Sequence, residues 1–76
     1  MDISRYELRI QRHAYLRAYH RGVHPDIIRK TIVEGYVERF GKHGIKFIKK
    51  GKKRTIICVG RCIGEKIQIF TIEVKE

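Results

Sequence analysis

Midway along the chain the hydrophobic period changes, and that change limits the folds open to it. Up to Glu34 the apolar residues recur at helical spacing; from Tyr36 they fall in short β-branched and aromatic runs divided by turn residues. Within QRHAYLRAYHRG, the residues Ile10, Ala14, Ala18 and the stem of Arg17 share one helix face, and Gly22 supplies the stop. His24-Pro25-Asp26 opens a second helix, with proline preset for the first helical position and Asp26 facing the positive helix end. Ile27, Ile28, Thr31 and Ile32 carry it to about Glu34, and Gly35 ends it.

The second half predicts four strands: Tyr36 to Phe40, Ile45 to Ile48, Thr55 to Ile63 and Lys66 to Val74. They are separated by GKHG, KKGKK and GE. TIICVG is continuously apolar, as a central strand buried on both faces would be, whereas IQIFTIEV alternates more loosely. Short connections favour an antiparallel meander. Tyr6, Leu8 and Ile10 also alternate with Glu7 and Arg9, which leaves a further strand over residues 6–10 open. The expected architecture is α+β, two N-terminal helices packed on one face of a four-stranded antiparallel sheet, in a single domain over residues 1–76.

Seventy-six residues exclude a second domain or a fold built around a large cofactor, because a chain this size buries only about 60% of the surface it exposes when unfolded. No stretch approaches the roughly 20 apolar residues of a membrane span. MDISRYELRIQRH lacks the apolar run of a signal peptide, so a soluble, cytoplasmic domain is expected. Cys58 and Cys62, four residues apart on one strand, would lie about 13 Å apart, too far for a disulfide. They read as small apolar core residues. Thirteen Ile against two Leu, no Asn and two Gln fit a heat-adapted source.

Charge says most about partners. Eighteen Lys and Arg against eight Asp and Glu give +10, which favours nucleic acid or an anionic membrane surface as partner, and of the two no membrane is expected. The cations come in two blocks. Arg5, Arg9, Arg12, Arg17 and Arg21 face only Glu7; Lys42, Lys46, Lys49, Lys50, Lys52, Lys53 and Arg54 have no acid among them. On the first helix His13, Arg17 and Arg21 stand at i, i+4 and i+8, with His20 beside them. Neighbouring like charges cost an isolated helix a few tenths of a kcal/mol, so a helix selected for stability alone would place Glu there. The bland alternative is a solvated face, and Arg17 could instead cap strand carbonyls. Six of the nine residues from Lys46 to Arg54 are cationic. Flanked by Phe47 and Tyr36, they suit a phosphate-tracking groove with stacking partners, although lysine-rich hairpin tips also simply protect sheet edges.

Of the four histidines, His20 and His24 share the spacing of a helical zinc pair, but Gly22 and Pro25 interrupt the helix and no H-E-x-x-H is present, so neither a metal nor a cofactor is expected. His24 suits the second N-cap and His43 an exposed turn. His13 is the candidate for proton transfer near neutrality. Metal-free RNA cleavage needs a group to take the 2′-OH proton, cations to hold the crowded phosphorane and a donor for the leaving oxygen. His13 serves as base or acid, with Arg17, Arg21 and Arg54 as clamps and Lys46, Lys49, Lys50, Lys52, Lys53 and His20 as RNA contacts. A His13 that merely bonds its own backbone at the helix start is the structural alternative.

RHAYLRAYHRGVHPDIIRKTIVEG resembles a family of small prokaryotic domains whose signature is R-H-A, R four residues on, then R-G-I/V opening a second helix. They close on a strand like the IFTIEV here. The likeness runs from about Ile10 to Val74. That family is similar to the RelE, ParE and BrnT toxins of toxin–antitoxin pairs, with helices packed on an antiparallel sheet. The resemblance implies a metal-independent or ribosome-dependent ribonuclease, acting on RNA such as ribosome-associated mRNA and neutralised by an antitoxin, with His13, Arg17 and Arg21 as matching residues. His24 stands where the family often has Ser or Thr, a cap exchange. The closing IEVKE carries no Tyr or His of the RelE kind, which departs from RelE-type chemistry. The alternatives are a non-catalytic nucleic-acid module on the same basic surface, and a protein-interaction module. The latter would use an exposed Ile27, Ile28, Ile32 face; a second copy of the chain is a further candidate partner.

Overall fold

The computed structural model describes residues 2–76. After a 3-10 turn over Ile3–Arg5 the order is β1 (Glu7–Ile10), α1 (Arg12–His20), α2 (Pro25–Glu34), β2 (Tyr36–Phe40), β3 (Gly44–Lys50), β4 (Thr55–Ile63) and β5 (Lys66–Lys75). The sheet has five strands in the order β1-β5-β4-β3-β2. The expected four-stranded antiparallel meander is β2 to β5. The open question over residues 6–10 resolves as β1, which precedes both helices and pairs parallel to β5, Leu8 against Ile67 and Ile10 against Ile69. The sheet is therefore mixed, and the helices sit between its first and second strands in sequence.

The helix ends follow local chemistry. Gly22 takes φ +81°, its N–H bonds to the Tyr19 carbonyl and that of Val23 reaches the Ala18 carbonyl. This closes α1 in a left-handed cap that a side chain at Gly22 would strain. Val23 is fully buried against the same core as Ala18. Pro25 starts α2, but His24 makes no side-chain cap bond there; its ring meets Tyr19 edge-on at 5.2 Å instead.

One face of the sheet carries Ile45 and Phe47 of β3, Ile56 and Cys58 of β4, and Ile67 and Ile69 of β5. With Ala18, Val23, Ile28 and Ile32 beneath them they form the core. Ile28 and Ile32 are fully buried and Ile27 is half-buried, so most of the expected Ile27, Ile28, Ile32 face of α2 is spent on the sheet. β4 is the middle strand, yet only its helix-facing side is buried. Ile57 and Val59 on the other side stay half-exposed, because nothing packs over that face among the described residues. The loose alternation of β5 has a cause. Ile67 and Ile69 face the core, then the inward positions shift to Ile72 and Val74, and the pairing with β4 slips by one residue at Val59/Gly60. Phe70 is the extra residue of this bulge, which re-aims a side chain and bends the strand.

Cys58 and Cys62 are free. Burial pushes the Cys58 thiol up from its ordinary 9.0 to about 12. The unfolded chain then loses this proton at a pH where the folded chain keeps it, so the contribution is full below about pH 9 and falls as pH rises toward 12. Urea titrations at pH 8 and pH 11 should show wild type losing more stability than Cys58→Ala over that interval; parallel losses would contradict it.

Candidate functional site

α1 opens on Arg12 and His13 with no acid in its first turn, and Gln11 makes no side-chain cap bond. Cations at that end oppose the helix macrodipole and leave amide donors facing outward. The helix is anchored by Ala14 and Ala18, both buried, which turns His13, Arg17 and Arg21 along its flank toward β5. β1 pairs with β5 only as far as Ile69, and from Phe70 onward β5 has no strand on that side among the described residues. A cavity of about 190 Å³ lies between this stretch and α1, lined by His13, Arg17 and Arg21 from the helix and by Phe70, Thr71, Ile72 and Glu73 from the strand.

The structure thus brings three of the four expected catalytic residues to one cavity. The cavity lies along the outer edge of β5. Arg17 is exposed and makes no bond to a strand carbonyl. Arg54 is the residue that caps: its Nη1 and Nη2 donate to the Arg21 and Gly22 carbonyls at 3.3 and 3.2 Å. A cation at a helix C-terminus is favourable by charge as well as by hydrogen bonding. Arg54 is therefore a clamp on the helix, outside the His13 cavity, and it ties the base of the lysine hairpin to the end of the cationic row. Arg54→Met should lower stability by about 1 kcal/mol, read as a shift of the urea midpoint, with Arg54→Lys intermediate.

The lysines divide between faces. Lys49 points to the helix side and donates to Glu34 Oε1 at 3.2 Å, so one acid does answer this block, from α2. Lys46 points to the open face, its Nζ 5.3 Å from the centre of the Phe40 ring. Lys50, Lys52 and Lys53 are exposed at the hairpin, and His20 is exposed at the end of α1, outside the cavity lining. Of the two proposed stacking partners, Tyr36 is exposed on the open face, but Phe47 is sealed in the core. Val37 opposes Phe47, and Tyr36 points the other way.

Two residues of the site escaped sequence reasoning. Glu73 reads there as one acid in the mixed-charge last strand, yet it shares the cavity with His13. Phe70 reads there only as part of the loosely alternating last strand, and the bulge brings it to the surface. Among the described residues no three His, Cys, Asp or Glu stand together as metal ligands, and no helix is long and apolar enough to cross a membrane. Comparison with protein-family models, curated proteins and solved structures finds no match to this chain.

Proposed function

We propose that this chain is a toxin-like RNA-binding domain that cleaves RNA without a metal and is held in check by an antitoxin. The observation that carries the proposal is the cavity between α1 and β5, where His13, Arg17, Arg21 and Glu73 border one space open to solvent. Arg17 and Arg21 bind the backbone phosphate and hold the charge that builds on its equatorial oxygens. Glu73 accepts the proton of the 2′-OH as that oxygen attacks the adjacent phosphorus. The new P–O2′ bond forms, the P–O5′ bond breaks, and His13 gives its proton to the departing 5′-oxygen. The products are a 2′,3′-cyclic phosphate and a 5′-hydroxyl. The Lys50 to Lys53 hairpin extends the positive surface from the Arg21 end.

The antitoxin part of the proposal rests on the same edge. From Phe70 on, β5 offers backbone donors and acceptors beside a row of cations, which suits an extended acidic segment adding as a strand.

Binding should fall steeply with salt. A single-stranded contact contributes a slope of about −0.7 in log K against log salt, so removing Arg17 and Arg21 together should flatten the slope by about 1.4. A wild-type affinity indifferent to salt would end the RNA proposal. Binding without any cleavage in EDTA would leave a non-catalytic nucleic-acid module.

A further inference from the structure

Phe70 lines a second cavity as well. This one, of about 290 Å³, opens on the sheet face away from the helices and is bounded by Phe40, His43, Gly44, Gly60, Arg61 and Phe70. Phe40 and Phe70 are 42% and 38% exposed, unusual for rings that have a core within reach. Their placement has local causes. Phe40 packs the Cδ2–Cε2 edge of its ring against β3 because Gly44 leaves the space; a Cβ there would come 2.5 Å from the ring. Lys46 holds the same ring from its face, Nζ 5.3 Å from the centroid. Phe70 stands on β5 because it is the bulge residue. The Phe40 ring sits over β3 and Phe70 stands on β5, two strands that flank β4 and so run about 9–10 Å apart. Stacked rings sit about 3.5–4 Å apart, so a span of this size suits one further planar ring. Arg61 and His43 stand at its rim with hydrogen-bond donors. No acid is among the residues that border it.

We propose that the slot between Phe40 and Phe70 is a nucleobase subsite, with Arg61 and His43 at its rim, so that the ligand is single-stranded RNA with one base stacked between the two rings. Because Phe70 borders both cavities, a base seated here places its neighbouring phosphate toward Arg17 and His13. A duplex, whose bases are already stacked and paired, cannot fill the slot. This assignment rests on the RNA proposal for the α1–β5 cavity and names its substrate class.

The probe is a ten-nucleotide 2′-O-methyl RNA carrying one 2-aminopurine, which lacks the attacking hydroxyl and so stays intact. Wild type should quench the 2-aminopurine on binding and prefer the single strand to its duplex. Phe70→Ala and Phe40→Ala should each weaken binding by about 5- to 150-fold, the range for a lost base–aromatic stack. The salt slope should be unchanged, since no phosphate contact is removed. Phe70→Tyr should restore most of the affinity. If the oligonucleotide binds with its salt dependence but neither quenches nor responds to the two substitutions, the base subsite is overturned while the cationic groove stands. If wild type binds no RNA, both proposals fall. If the substitutions instead dissolve a dimer of wild type in sedimentation, the exposed rings are an interface between copies and the subsite is overturned.

Discussion

His13→Ala should abolish RNA cleavage in EDTA, lowering the rate by about 10²- to 10⁴-fold while leaving affinity for a non-cleavable RNA within a few-fold of wild type. The size follows from the loss of a positioned proton donor. Persistence of binding follows from Arg17 and Arg21, which line the same cavity. Glu73→Gln keeps the shape of its wall and removes only the proton acceptor, so it should cut the rate by a similar factor. The pair is what gives the test force: general acid and general base leave opposite limbs on a pH–rate profile, and each variant should flatten one limb. A rate unaffected by either change would remove the proton-transfer assignment and leave the cavity as a binding groove. Loss of binding in both would show that the two side chains hold the wall together instead.

Phe47→Ala should be the most damaging substitution in the core, at about 3–5 kcal/mol. Phe47 is fully buried, lies between Val37 and Cys58 in the sheet and fills space above the helices that no neighbour can close. Chains of this size have only about 4–11 kcal/mol in total, so the variant should be largely unfolded at modest urea. Phe70→Ala, the same chemical change at an exposed bulge, should cost no more than about 1 kcal/mol. Urea unfolding followed by circular dichroism measures both. Similar midpoints for the two variants would mean that the placement of the core is wrong.

The contrast between these two phenylalanines shows what was legible beforehand. Helix ends were, because Gly22, Pro25 and Gly35 act through backbone geometry within a turn of themselves. Strand positions were too, because turn residues bracket β-branched runs. The slip in β5 was visible as its loose alternation: inward residues are odd-numbered at Ile67 and Ile69 and even-numbered at Ile72 and Val74. Read as a bulge, that slip would have placed Phe70 at the surface. The side of β3 that faces inward was not legible, since Phe47 and Ile48 are adjacent and both apolar; pairing with β4 and the position of α2 decide it. The parallel pairing of β1 with β5 joins the two ends of the chain, and no local pattern encodes a partner some sixty residues away.

For the site, spacing along α1 was enough to put His13, Arg17 and Arg21 on one flank, because 3.6 residues per turn is fixed by the backbone itself. The sequence determined the elements, their caps and the excess of cations, all properties of residues close together in the chain. Only the tertiary structure decided which cations meet. It turned Arg54 onto the carbonyls of α1, gave Lys49 to Glu34 and brought Glu73 and His13 to the border of one cavity. Such contacts depend on how a helix docks against a strand edge, and docking is settled by the shape of the whole core rather than by any one segment.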